Sequence, residues 1–301
     1  VSSRPKGMGN KDLKTGQIEV FVDELEVISK AETPPIEIDD RIVASEELRL
    51  KYRFLDLRRP IMQRNLEFRQ KVIQAARKFM EENYFLEVQT PMLVRPTPEG
   101  ARDYIVPSRV NPGQFYALPQ SPQLYKQILM ISGIDRYFQL PAICMRDEDL
   151  RTDRQPEHSQ LDFEISFVNE SDIMDLVEEL MKHVVKEVLG KTLKEKFARL
   201  SYEESMLKYG NDKPDLRYGL ELKDVTAIMK DSEFKVFHSV IETNGIIKML
   251  AVEYDFTRKD LEDLTALATS EGAKGLAYVK VAENKLDGNI AKFFPGKVHK
   301  S

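Results

Sequence analysis

Apolar positions along this chain change period several times, and each change predicts an element. Residues 1–35 gather β-formers at Gln17–Val22 and Leu25–Ser29 behind a polar turn at Gly7–Gly16, a pattern of short strands. Ala31–Asp40 follows with Thr33-Pro34-Pro35, two aspartates and few apolar anchors, which is a linker composition. From Arg64 to Asn83, residues Phe68, Val72, Ala76, Phe79 and Met80 recur at helical spacing. Tyr84–Leu93 reads as a strand interrupted by Pro91, with further strands near Tyr104–Pro107 and Gln114–Leu118. Ser121-Pro122 marks a helix start, with Ser121 as N-cap and Pro122 at the first helical position, and Gly133 ends that helix. Two long β-like runs, Arg136–Arg146 and His158–Val168, flank a very polar loop, and a helix from about Ser171 to Leu189 stops at Gly190. Beyond about residue 215 the rhythm shifts. Helices at Lys223–Lys230 and Thr257–Thr269, the second with a box-like cap from Thr257 to Asp260, alternate with strands at Ile246–Glu253 and Gly275–Val281.

Strands interleaved with helices and hairpins favour an α+β fold on an antiparallel sheet over a doubly wound parallel one. At 301 residues the chain has room for two domains and part of a third. Its 45 basic and 50 acidic residues leave a formal charge of −5. That balance argues against holding nucleic acid by bulk charge and leaves local basic faces open. The longest apolar stretches, such as Gln127–Ile134, fall far short of the roughly 20 residues a membrane helix needs. The single Cys144 excludes an internal disulfide and a cysteine zinc cluster. His158, His183, His238 and His299 show no ligand spacing, so no metal site is expected among these residues. The chain opens at Val1 without a signal or transit pattern, and its ends are not expected to be natural ends.

Four segments are candidates for chemistry. In HSQLDFEISF, residues 158–167, Gln160, Asp162 and Glu164 alternate with Leu161, Phe163, Ile165 and Phe167. An ordinary half-exposed strand shows the same alternation. Three acceptors in a row on one face, however, suit a polar pocket that holds an ammonium group. The charged run Arg146–Arg151 and its continuation to Glu157 read as a solvated hairpin loop. Arg146 differs, because it ends an apolar strand at the sheet margin, where a guanidinium offers a rigid fork to phosphate or carboxylate. Ser121, Gln123 and Lys126 lie near a helix start, where backbone N–H groups favour anions, although plain capping also explains Ser121. Arg95–Arg102, with two prolines and a glycine, is either a surface loop or a lid over a pocket.

Six segments together carry a family resemblance: FLDLRRP at 54–60, TPEGARDY at 97–104, YALPQSPQLYKQ at 116–127, RDEDLR at 146–151, DRQPEHSQLDFE at 153–164 and YGNDKPDLR at 209–217. In this order they resemble the aspartyl-tRNA synthetases of bacterial or organellar type, a class II family. The resemblance implies a class II synthetase-like antiparallel sheet flanked by helices. Motif 1 would be the Arg64–Asn83 helix with the strand ending near Pro91, and motif 2 the hairpin from Arg146 to Glu164. The chain would then divide into the end of an anticodon-binding OB barrel (1–35), a linker (36–47), a catalytic core with motifs 1 and 2 (48–214) and part of a bacterial-type insertion domain (215–301). The resemblance also implies a homodimer through motif 1, located in the cytoplasm or an organellar matrix and not secreted.

The activity so implied is ATP-dependent conversion of aspartate to aspartyl adenylate, then transfer to tRNA(Asp), with Mg2+ ligands expected later in the family's sequence. Arg146 would be the catalytic residue, bridging the substrate carboxylate and the α-phosphate, with Glu148 and Gln155 also contacting ATP. Asp162, with Gln160 nearby, would hold the substrate ammonium. Lys126 would meet the side-chain carboxylate beside Gln123 and Ser121, and Glu99 belongs to the segment that closes over the site. Asparagine, nearly isosteric but neutral, would leave Lys126 unpaired, which costs several kcal/mol in a buried site.

The chain departs from the family pattern in three ways. It stops before the glycine-rich motif 3 and the late acidic residues, and it holds little of the anticodon barrel. It is therefore expected to be a fragment truncated at both ends, and inactive by itself. The interval from Gln139 to Arg146 is one residue longer than usual, with Pro141 inside and Met145 in place of an aromatic. An extra residue inverts strand parity unless a bulge absorbs it, so a bulge is expected between Gln139 and Cys144. Two other readings stay open. One is a non-catalytic synthetase-like protein that binds tRNA or a partner. The other is a sibling ligase for asparagine or lysine, which the TPEGARDY and YGNDKPDLR segments disfavour.

Overall fold

The computed structural model describes residues 1–301 except 42–43, 98, 153, 283–284 and 295–301, and separates into two units, 1–196 and 197–301. Pro98 of the TPEGARDY loop and Asp153 of the hairpin loop lie outside the described residues. In the first unit, helix α1 (Pro60–Glu82) leads into strand β1 (Leu86–Glu87). A short antiparallel pair follows, β2 (Ile105–Pro107) with β3 (Phe115–Ala117). Then come helix α2 (Gln123–Ile131), the long strands β4 (Arg136–Met145) and β5 (Glu157–Ile165), and helix α3 (Glu170–Leu189). β4 is central. It pairs antiparallel with β5 and, over two residues, parallel with β1.

The β4–β5 hairpin is two-faced. Phe138 and Leu140, with Leu161, Phe163 and Ile165, turn one face to α1 and α3. There they pack with Ala76, Phe79 and Met80 of α1, with Leu180 of α3 and with Phe85. Burying a side chain of that size contributes about 1.5–3 kcal/mol, so this core sets the orientation of the sheet. Residues opposite one another in an antiparallel pair share a face. Tyr137, Gln139, Ala142 and Cys144 therefore lie with Glu164, Asp162, Gln160 and His158 on the other face. The expected bulge is present. Gln139 pairs with Asp162 and Ala142 with Gln160, so Leu140 and Pro141, joined by a cis peptide, both oppose Leu161. The bulge restores parity and keeps Cys144, which precedes Arg146 by two residues, on the polar face.

α1 begins four residues before the apolar period shows it, because Pro60 occupies the first helical position and both carboxylate oxygens of Asp40 accept the Ile61 N–H at 3.1 Å. Of its predicted apolar set, Ala76, Phe79 and Met80 are buried, while Phe68 is exposed. Just upstream, the FLDLRRP segment buries Asp56 completely among Arg49, Arg53 and Arg59 at 3.0, 2.6 and 3.0 Å. The bond from Arg49, foremost, holds this carboxyl below the usual range. α1 ends in a Schellman turn: Phe85 N–H donates to Met80 and Tyr84 N–H to Glu81. Tyr84 occupies the left-handed position at φ +64° and is exposed.

Several predicted elements are shorter or displaced. Gln17–Val22 contributes only Ile18–Glu19, paired with Ser2–Ser3, and Leu25–Ser29 forms no strand, because no neighbouring strand is there to take its hydrogen bonds. Tyr84–Leu93 yields only Leu86–Glu87: Tyr84 is used by the helix end, and Thr90 N–H turns to the Gln139 side chain. α2 starts at Gln123 with Pro122 at the cap position, one residue later than expected, although the Ser121 hydroxyl still accepts the Gln123 N–H at 3.3 Å. In the second unit Lys223–Lys230 is split. Leu222–Asp224 pairs with Lys248–Leu250, and Asp224 accepts the Thr226 N–H where the short helix Thr226–Met229 begins. The helix Arg258–Ser270 carries the Thr257–Asp260 capping box. Helices at Glu46–Lys51, Tyr202–Tyr209 and Lys235–Glu242 were not signalled by the apolar pattern.

A bulky residue in the left-handed region costs roughly 1–2 kcal/mol, more than the roughly 0.5–1 kcal/mol that glycine costs through the flexible unfolded chain. Tyr84→Gly is therefore expected to raise the urea midpoint of the chain. A lowered midpoint would show that the exposed ring makes contacts that outweigh the backbone strain.

Candidate active site

The polar face of the hairpin receives a lysine from α2. Lys126 is the buried residue of that helix, and lysines are rarely buried unless paired. Its Nζ lies 2.9 Å from Asp162 Oδ1 and 3.3 Å from Glu164 Oε2. Burial works to lower the Lys126 pKa, but the bond to Asp162 and the two carboxylate charges outweigh it, so the ammonium is held more firmly than usual. Beneath the pair, the buried Gln139 accepts at one oxygen from Thr90 N (3.1 Å), Thr90 Oγ1 (2.8 Å) and Tyr137 OH (3.2 Å). Burial, then the nearby Asp162 charge, pushes the Tyr137 hydroxyl up.

Three polar atoms around this face are buried without a hydrogen-bond partner among the described residues: Asp162 Oδ2, Arg146 Nε and Gln120 Oε1. Buried polar groups are almost always bonded, so these atoms have hydrogen-bonding capacity left for a ligand. The rim is tied down. Glu99 accepts the Ser121 hydroxyl at 2.6 Å, and Gln120 donates to Asp103 (2.5 Å) and to the Ala101 carbonyl (2.9 Å). Arg102 and Asp147 bridge the same loop to the root of the hairpin loop. The loop that sequence left open between surface loop and lid is thus fastened to the start of α2.

Glu99, Lys126, Arg146 and Asp162 all lie within electrostatic reach of the buried Cys144. Burial pushes this thiol up to about 11, and the charges of all four residues reach it, Asp162 most strongly. Ser121 joins them through Glu99. Gln123 is half-buried beside Ser121, and Gln160 bonds His158 at 3.2 Å. Glu148 is half-buried, with its N–H on the Arg146 carbonyl. Gln155 is exposed and lines an open cavity of about 340 Å³ with Tyr104, Leu118, Met145, Pro156 and Glu157. Glu164 was visible in the strand alternation but missing from the candidate set. Gln120, Gln139 and Tyr137 carry no sequence signal, because their partners are set by tertiary contacts. Among the described residues, no group of three His, Cys, Asp or Glu side chains is placed to hold a metal ion, and no helix is long and apolar enough to cross a membrane.

Residues 45–286 match the family model for tRNA synthetases class II (D, K and N), and the chain belongs to that family. Its fold is similar to a solved structure assigned as an aspartyl-tRNA synthetase from Leishmania major Friedlin, with a TM-score of 0.53 and 21% identity over 61% of this chain and 37% of that one. Curated relatives are nearer in sequence. The Aspartate--tRNA(Asp/Asn) ligase of Persephonella marina (strain DSM 14350 / EX-H1) is 54% identical over 297 residues, covering 98% of this chain and 49% of its own length. The ligase of the same name from Syntrophomonas wolfei subsp. wolfei is 50% identical over 295 residues, covering 97% of this chain and 50% of its own length. The chain thus spans about half the length of the curated relatives it matches.

Removing one partner of a buried ion pair costs about 3–5 kcal/mol. Lys126→Ala should destabilise the first unit by roughly that amount in urea titrations, and replacing Lys126 and Asp162 together by apolar residues should cost less. The raised Lys126 pKa sets the sign with pH: its contribution is complete below the unfolded value of about 10.4 and fades as pH climbs through the folded value. The alkaline loss of stability should therefore be smaller in Lys126→Ala. Equal alkaline curves would show that Lys126 is not the titrating group.

Proposed function

We propose that this chain carries the amino-acid-activating half of an aspartate–tRNA ligase. The observation that carries the reading is the Lys126–Asp162 pair, with Asp162 Oδ2 and Arg146 Nε left unpartnered on one sheet face. Aspartate offers complementary groups. Its ammonium takes the place of Lys126 at Asp162, and its side-chain carboxylate takes the place of Asp162 at Lys126. Ser121, Gln123 and Gln160 line the same pocket, and Glu99, already bonded to Ser121, closes it.

Activation must bring a carboxylate to an α-phosphate, and both are anions. Arg146, at the margin of the sheet beside this pocket, faces the point where they meet and stabilises charge as it develops. Its unpartnered Nε fits a phosphate oxygen, and Glu148 and Gln155 on the same hairpin are the further ATP contacts. ATP is taken with Mg2+, which would neutralise charge on the phosphates when bound. The adenylate then passes to tRNA(Asp). The partition into OB-barrel tail (1–35), linker (36–47), core (48–214) and insertion domain (215–301) belongs to this reading, as does a homodimer built on α1 and β1. So does a cytoplasmic or organellar location. The exposed Leu66 and Phe68 on α1 support that dimer face. A non-catalytic tRNA- or partner-binding role is the alternative, and the unpartnered polar atoms favour the ligase.

The test is aspartate-dependent pyrophosphate exchange and aminoacylation, on the 301-residue chain and on a chain extended to the length of its curated relatives. The extended chain should charge tRNA(Asp), and the 301 residues alone should not. In the extended chain, Lys126→Ala should raise the KM for aspartate far more than that for ATP. Arg146→Ala should lower the exchange rate by about 10²–10³. No exchange by the extended chain would overturn the ligase reading. Robust Mg2+-dependent charging by the 301 residues would overturn the assignment of only half the site to them.

A further inference from the structure

The bulge in β4 decides which face Arg146 serves, and something must hold it. Strand carbonyls alternate in direction, so the Leu140 carbonyl points to the same edge of β4 as that of Phe138. Phe138 is satisfied there by Val88 N–H at 3.0 Å. Two residues further on, β1 has ended, and Thr90 has turned its N–H to the Gln139 side chain. A half-buried arginine from α1 fills the gap. The Arg77 Nη2 donates to the Leu140 carbonyl, while Nε and Nη2 hold Glu87 Oε2 and Oε1 at 2.8 and 3.1 Å. Glu87 is the last residue of β1, so one planar guanidinium joins helix, strand end and bulge.

We propose that Arg77, braced by Glu87, is a positioning residue that locks the β4 bulge and so keeps Cys144 and Arg146 on the Asp162 face. A surface Arg–Glu pair alone is worth little. Its bond to a backbone carbonyl at the one irregular step of the strand gives this pair a different role. Without the clamp, β4 can return to regular pairing by moving the extra residue along the strand. That slip turns every residue beyond it to the opposite face. Cys144 would then leave a fully buried position for a face on which its neighbour Ile143 is exposed. The proposal goes beyond the ligase reading, and its test needs no activity.

Cys144 is the chain's one cysteine and serves as the reporter. The experiment is alkylation of the 301-residue chain by N-ethylmaleimide without denaturant, followed by intact mass, with urea midpoints measured in parallel. Arg77→Ala is expected to speed labelling of Cys144 by about tenfold or more, beyond what its change in global stability explains. Glu87→Gln should act in the same direction, and it decides the matter if Arg77→Ala does not fold. The decisive control deletes Pro141. That chain has no extra residue to hold, and adding Arg77→Ala to it should change labelling by less than about twofold. Unchanged protection of Cys144 when the clamp is broken overturns the proposal. So does an equal increase with and without Pro141, which would make Arg77 a general packing residue.

Discussion

Lys126 and Asp162 meet at 2.9 Å with little of either side chain exposed, and neither charge would be tolerated there alone. The pair ties the first turns of α2 to the middle of β5, and the rest of the polar face is arranged around it. Glu164 supplies a second acceptor to the same ammonium, and the Tyr137–Gln139–Thr90 network supports the strand beneath. Burying a hydrophobic pair would stabilise such a spot as well or better. In the proposed reading the ions present charge, in fixed positions, to a substrate that exchanges with them.

In the proposed reading, the charge balance around that face bears on how much of the reaction these residues would perform. Lys126 and Arg146 stand against Asp162, Glu164 and Glu99. Aspartate and ATP would both bring further negative charge, so a site of this balance would need additional cations to hold them together. The proposed reading therefore assigns these residues the ammonium pocket, one carboxylate reader and one phosphate contact. Leu66 and Phe68 of α1, and Val20, Phe21 and Val22 in the N-terminal stretch, are exposed apolar side chains.

Much of the first unit was legible from residue order. The helices α1 and α3, the β4–β5 pair and the acceptor face of β5 follow from apolar period and from Gly190, which are local causes acting within one turn or one pleat. The bulge was legible too, because a seven-step interval between two residues that must share a face leaves one to absorb. What the pattern overstated were the strands at Gln17–Val22, Leu25–Ser29 and Tyr84–Leu93. A β-former pattern records a preference, but a strand exists only where a neighbour takes its hydrogen bonds.

The sequence by itself determined the family, the two-faced hairpin and the set of charged residues available to a site. Only the tertiary structure decided which of them meet. Lys126 and Asp162 are 36 residues apart, Glu99 and Ser121 are 22, and Arg77 and Leu140 are 63. No local periodicity encodes such partners, because they are selected by the packing of α1 and α3 against the opposite face of the sheet. Gln155 is exposed at an open cavity, although it lies only seven residues from the buried Asp162 along the chain. A position on a hairpin loop is fixed by what docks on it, whereas a position within a paired strand is fixed by the pleat.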